Sequence, residues 1–206
     1  TLHRQDIEQA AFLVLTNDSF WGPITPLDAL FQRLHSSSAD VIGLTDDLMY
    51  EPHLSSAFTA YKSKALQSPA FGRFWETLQI WPRKRDLIKQ CEVGLPVQLR
   101  EAGLMLESLY THNANGNVLH YDWKLLIEQR GFPFLKVSLL RDNPTQQPVE
   151  TWPEVIGQRN PQLAASIRRE LRPKPGLQRL LQRLRRRLNG SERKGSRAVM
   201  APTSRR

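Results

Sequence analysis

Asn17-Asp18-Ser19 closes an apolar run, Phe12 to Leu15, and is followed by Phe20-Trp21 and a Gly22-Pro23 stop. A carboxylate at the end of a rigid strand, within reach of solvent, suits a hard divalent cation or a reacting group. The same three residue types are turn formers whose side chains bond the backbone two residues on. Taken alone, the triplet reads more easily as a turn closing a buried strand. Glu92 stands just before a helical pattern, where a carboxylate also complements the helix dipole. His53 and His120 are single histidines, as readily half-buried structural residues as ligands, because a metal centre needs several converging donors. Asp46 and Asp47 follow a second apolar run and read most simply as a solvated loop; Arg141 and Asn143 end an apolar segment, with Asp142 as a ready ion partner. No phosphate-cradling Walker loop, zinc-spaced Cys/His set or Gly-x-Ser-x-Gly elbow occurs, which argues against the kinases, zinc enzymes and hydrolases built on them.

The elements that must position these residues alternate between strand-like and helical runs, the rhythm of an α/β sheet. Residues 11–16 predict a buried strand, 39–45 a second, and 56–62 a third with weak alternation. Pro26 leads into a helix with Leu27, Leu30, Phe31 and Leu34 on one face. After Pro69, the spacing of Phe71, Phe74, Trp75 and Leu78 predicts a helix over 70–81, and residues 83–90 continue helically. Leu95, Leu99 and Ala102 share a helix face that Gly103 ends. Residues 104–110 are strand-like, 122–131 form a short helix with a Gly131 stop, and 132–140 are again strand-like. A terminal helix is expected within 158–171.

Charge divides the chain. Of 29 Lys and Arg among 206 residues, 14 lie from Ile167 onward beside only two acids. Residues 1–166 therefore carry 15 cations against 18 acids, and the overall charge of +9 belongs to a tail. We expect an α/β domain over 1–160 and a basic tail over 161–206, with an amphipathic helix at about 176–188 and a Gly/Ser/Arg-rich disordered end. The lone Cys91 excludes an internal disulfide and fits a reducing compartment. No apolar run is long enough to span a bilayer.

Five segments in order, "LTNDSFWGPITPLDALF", "ADVIGLTDD", "HLSSAFTAYKSKALQSPAFGRFW", "CEVGLPVQLREAG" and "GFPFLKVSLLRDNP", resemble the rhamnan synthesis protein F family of bacterial polysaccharide glycosyltransferases. The similarity covers roughly residues 10–157. It implies a GT-A-like mixed sheet flanked by helices, a nucleotide-sugar donor and a saccharide or lipid-linked acceptor. It also implies that the nucleotide-binding βαβ portion ahead of the first strand is missing from this chain or lies on a neighbouring segment.

On that resemblance, Asn17-Asp18-Ser19 stands where such enzymes carry Asp-x-Asp, with one carboxylate to hold Mg2+ or Mn2+ at the donor diphosphate. Glu92 is the general-base candidate for the acceptor hydroxyl. His53 and Asp46 fall near the sugars, and His120 near the diphosphate or its metal. Trp21, just beyond Asp18, offers a stacking face for a sugar ring, more so than Phe20. The expected function is sugar transfer, with rhamnose among the candidate sugars, onto a surface polysaccharide of rhamnan, O-antigen or capsule type. The expected place is the cytoplasm, at the inner membrane face, with residues 167–206 drawn to anionic lipid. Two alternatives stand beside it: an inactive saccharide-binding or scaffolding module, and a nucleic-acid binder through the tail. The mildly acidic body and the lack of a nucleic-acid module disfavour the second.

Overall fold

A computed structural model of the chain describes residues 4–48, 51–111 and 117–172. A short helix α1 (Arg4–Gln9) precedes strand β1 (Phe12–Thr16), which pairs antiparallel with β6 (Phe58–Lys62) in the register Leu13↔Tyr61 and Leu15↔Thr59. On its other side β6 pairs antiparallel with β3 (Val41–Gly43), which pairs parallel with β7 (Leu106–Ser108). The sheet order is β1-β6-β3-β7, so β1, β3 and β7 run one way and β6 the other. Two-stranded ribbons flank it: β2 (Phe20–Trp21) with β8 (Leu135–Lys136), and β4 (Asp46–Asp47) with β5 (His53–Leu54).

Alternation along the strands divides the core between the two faces. Val14, Ile42, Phe58 and Ala60 face a cluster with Leu30 and Leu34 of α2 (Asp28–Ser36) and Leu119 and Leu126 from α7 (Val118–Tyr121) and α8 (Trp123–Gln129). Leu13, Leu15, Val41 and Tyr61 face the other cluster. There they meet Ala65 of α3 (Ser63–Leu66), Phe71 and Phe74 of α4 (Pro69–Glu76), and Leu95 and Leu99 of α6 (Gly94–Glu101). Helices therefore cover both faces of a mixed sheet, as the alternating pattern predicts. Asp40 anchors the start of β3: its buried carboxylate accepts the Met105 N–H at 2.8 Å and pairs with Lys64 at 2.9 Å. Burial pushes its pKa up, but the Met105 N–H and the Lys64 ammonium outweigh that and hold it below the usual value.

Three expectations need correction. The helix of 70–81 ends at Glu76, where Thr77 caps it by donating Oγ1–H to the Arg73 carbonyl at 2.7 Å, and residues 78–81 are irregular. The strand-like run 132–140 contributes only Leu135–Lys136 to a strand, because β2 offers two residues to pair with. Val137 then starts helix α9 (Val137–Arg141), so Arg141 and Asn143 end a helix, and Arg141 forks onto Asp142. Helix α5 (Lys84–Leu87) does not stop before Glu92. A π-helical stretch, Ile88–Val93, joins it to α6 without a break, so Glu92 lies inside an 18-residue helix and not at its start.

Pro96 explains the π stretch. It has no N–H for the carbonyl of Glu92, four residues back, and its ring would strike that carbonyl in a regular α-helix. Widening the preceding turn relieves the conflict, and the Gly94 N–H reaches the Lys89 carbonyl, five residues back. Gly103 and Gly131, with φ of +80° and +66°, end α6 and close the turn after α8, the two stops legible in the sequence. Helices α10 (Trp152–Gly157) and α11 (Pro161–Glu170) complete the described chain, and Ile167 closes the first compact unit, Thr1–Ile167. The expected amphipathic helix at 176–188 lies outside the described residues.

Candidate functional site

The C-terminal ends of β1 and β3 and the entry to β6 lie at the same edge of the sheet, the edge where open α/β sheets bind ligands. A cleft of about 650 Å³ opens there. Leu15, Thr59 and Tyr61 form part of its floor from the sheet, and Asp47, His53, Ser55 and Ser56 come from the β4–β5 ribbon and its exit. Trp75 of α4 and Leu87, Ile88, Cys91 and Glu92 of the long helix form one wall. Asn17, Ser19, Asn117 and Lys136 also line it. Polar groups converging on an apolar-walled hollow are the usual mark of a small-molecule or saccharide site.

Local rules fix each polar group. The Asn17 side-chain oxygen accepts the Ser19 N–H at 3.0 Å, an Asx turn, while the Asn17 N–H and the Thr16 hydroxyl both donate to the Ala57 carbonyl. That turn sets Asn17 and Ser19 at the cleft and leaves Asp18 exposed at a bend, outside the lining. Glu92 Oε1 accepts the Ser56 N–H at 3.2 Å, which ties the π stretch to the loop entering β6. Asp47 and His53 are cross-strand partners. His53 Nδ1 lies 2.7 Å from the Glu51 carbonyl. A carbonyl only accepts, so Nδ1 carries a proton and Nε2 is the ring nitrogen left to face a ligand. Lys136 is set by the β2–β8 pair opposite Phe20, its ammonium 5.6 Å from that ring's centroid. Burial pushes the Tyr61 pKa up to about 12 and raises that of the Cys91 thiol, so both groups stay protonated near neutrality.

Of the residues singled out from sequence, the fold brings Asn17, Ser19, Asp47, His53 and Glu92 to this one cleft, and the others do not line it. Trp21, the expected stacking face, is buried at 9% exposure and outside the lining. His120 is buried with Nε2 2.9 Å from Ser138 Oγ, and burial followed by the nearby Lys136 charge lowers its pKa. Asp46 is half-buried in β4, its Oδ1 sealed from solvent without a hydrogen-bond partner. Asp18 and His120, the expected metal donors, do not meet in the cleft, and among the described residues no three His, Cys, Asp or Glu side chains form a group able to hold a metal ion.

Sequence reasoning missed Trp75, Cys91, Asn117 and Lys136. Trp75 sits at core spacing on its helix, and only the sheet's position reveals that it reaches the cleft. Lys136 lies in an apolar run, where a single cation is a usable signal that its neighbours hid.

The family model of rhamnan synthesis protein F matches residues 2–165. An uncharacterized protein of Sinorhizobium fredii (strain NBRC 101917 / NGR234), y4gN, is 27% identical over 113 residues, which are 53% of this chain and 29% of that protein. The chain matches less than a third of that relative's length. No solved structure matches the chain.

Proposed function

The chain belongs to the rhamnan synthesis protein F family, which ties it to polysaccharide synthesis, and from that membership and the cleft we propose that it forms the acceptor side of a glycosyl-transfer site. The observation that carries the reading is the meeting of Glu92, His53, Asn17, Ser19 and Lys136 in one hollow at the sheet edge. Glu92, steadied through Oε1, takes the proton of an acceptor hydroxyl. The hydroxyl oxygen bonds to the anomeric carbon of a nucleotide sugar as the bond from that carbon to the diphosphate oxygen breaks. The electron pair of that bond departs with the nucleoside diphosphate. Lys136 meets the growing negative charge as a point cation, and His53 Nε2 accepts from a sugar hydroxyl. Trp75 supplies the apolar plane for a sugar face in place of Trp21. Neither of the expected Mg2+ or Mn2+ donors, Asp18 and His120, lines the cleft, so no step here runs through a metal.

The test is transfer of labelled sugar from a panel of nucleotide sugars, deoxythymidine diphosphate-rhamnose among them, to a rhamnan oligosaccharide or lipid-linked acceptor by the full-length protein. In parallel, Cys91 in the cleft wall serves as a reporter. A bound donor or acceptor should slow its alkylation several-fold. Transfer without protection of Cys91 would move the site elsewhere. Protection without transfer would favour the saccharide-binding module, a reading that the exposed position of Asp18 supports.

A further inference from the structure

Nine large apolar side chains are exposed among the described residues, and four of them, Trp75, Leu78, Ile80 and Leu87, fall within 13 consecutive positions. Single exposed apolar residues need no explanation, but a cluster does. This cluster occupies the end of α4, the irregular connection after it and the start of the long helix. Ile80, at its middle, is 98% exposed, a β-branched side chain held in water with the half-buried Trp81 beside it. Trp75 and Leu87, at its two ends, are 43% and 46% exposed and also line the cleft. The apolar surface thus begins at the cleft wall and extends along the connection.

Charge follows the same stretch. From Arg73 to Lys89 the sequence has five cations, Arg73, Arg83, Lys84, Arg85 and Lys89, against two acids, Glu76 and Asp86. The rest of residues 1–166 has 10 cations against 16 acids. Asp86 sits 3.8 Å from Arg83, one ion pair within a positive excess. An isoleucine and tryptophan flanked by arginines and lysines is the chemistry of an interfacial anchor: the apolar side chains enter the acyl boundary while the cations meet lipid phosphates. A protein partner would need matching acids, and the projecting Ile80 offers it no concave pocket.

We infer that residues 75–89 form a membrane-docking edge that seats the cleft against an anionic bilayer surface, so that an acceptor carried by a lipid is presented to the wall bearing Glu92. Its role toward the acceptor rests on the transfer reading, whereas docking itself is read by vesicle binding alone, and it uses a different segment from the basic tail. The test uses the full-length chain with Cys91→Ser and Ile80→Cys, labelled with an environment-sensitive dye. A second chain carries Cys91→Ser and Gln32→Cys on α2. Vesicles of phosphatidylcholine, with or without phosphatidylglycerol, carry brominated acyl chains as quenchers. The dye at 80 is expected to shift to the blue and be quenched on the anionic vesicles, while the dye at 32 stays in water. Ile80→Asp, at a site nearly fully exposed and so without packing to lose, should lower vesicle partitioning by about tenfold with unchanged circular dichroism. An unquenched dye at 80 on vesicles that retain the protein would overturn the proposal, since another segment would then hold it. A dye shift that grows with protein concentration and needs no lipid would also overturn it, in favour of a self-association face. Equal quenching on uncharged vesicles would remove the anionic surface from it.

Discussion

Replacing Glu92 by Gln separates charge from structure more cleanly than any other change in the cleft. Glutamine keeps the length, the shape and an Oε1 that can still accept the Ser56 N–H at 3.2 Å, so the tie between the π stretch and the loop before β6 survives. What is lost is the negative charge and the basic site. A positioned general base contributes roughly 10² to 10⁴ in rate, which is about 3 to 5 kcal/mol of transition-state free energy. The structural cost is small, because the residue is half-exposed and a hydrogen bond of this kind nets about 1 kcal/mol even when lost outright. Glu92→Gln should therefore drop kcat at least a hundred-fold with a melting temperature within a degree or two of the parent. Glu92→Ala should show the same drop plus a fall in stability of up to about 1 kcal/mol from the unpaired Ser56 N–H. The assay is initial-rate transfer by the full-length protein with saturating donor and acceptor, beside calorimetric melting of all three proteins. A Gln variant that keeps more than half of the parent rate would refute Glu92 as the base. Equal losses of rate and stability in both variants would mean that the residue serves the fold.

Trp75→Ala should weaken saccharide binding about tenfold, measured by calorimetric titration, since an exposed ring face adds on the order of 1 kcal/mol or more to such contacts; unchanged affinity would remove it from the site. Gly22→Ala should destabilise the chain by about 1 to 3 kcal/mol in urea melts, because a Cβ there would lie 2.4 Å from Phe134 Cδ1 and 3.0 Å from the Pro133 carbonyl. Phe134 is braced by Phe20, Phe58 and Phe132 and has little room to yield, so a neutral result would show the ring cluster to be softer than its packing implies. His120 has its pKa lowered by burial and by Lys136, so its contribution is full above the ordinary value of 6.5 and shrinks as pH falls from there toward the folded value. The melting-temperature advantage of the parent over His120→Gln should narrow between pH 7.5 and pH 5, and parallel profiles would contradict the burial argument.

The elements were legible where a local rule decided them. The strands at 12–16, 41–43 and 58–62, the helix starting after Pro26 and the glycine stops at 103 and 131 follow from apolar spacing and backbone preference. The run 132–140 misled because its apolar residues suit either a strand or a helix, and only its two-residue partner β2 fixes the outcome. Glu92 lines the cleft, but its setting inside a helix was not legible, because the effect of Pro96 on a carbonyl four residues earlier does not appear as a break in hydrophobic spacing. Asp18 illustrates the opposite case. The residue types point to a turn and the family resemblance to a site; the fold forms the turn, with Asn17 and Ser19 at the cleft and Asp18 outward. Trp75 and Lys136 were invisible as cleft residues, since reaching one hollow depends on pairings between segments more than 40 residues apart in the chain.

The π stretch also acts as a phase adjuster in a rotating shaft. Each residue of an α-helix turns the chain by about 100°, so residues before and after Ile88–Val93 face their neighbours in an angular relation that this stretch alone sets. Downstream, Leu95 and Leu99 point into the core beside α4; upstream, Leu87 and Ile88 point into the hollow. Inserting one residue within Ile88–Val93 would leave the downstream half seated and swing the upstream half by about 100°. Leu87 and Ile88 would turn off the wall while every strand stayed in place. The length of this segment is thus a constraint as strict as any side chain in the cleft, and it is the angular setting of the helix that a one-residue insertion or deletion there would change.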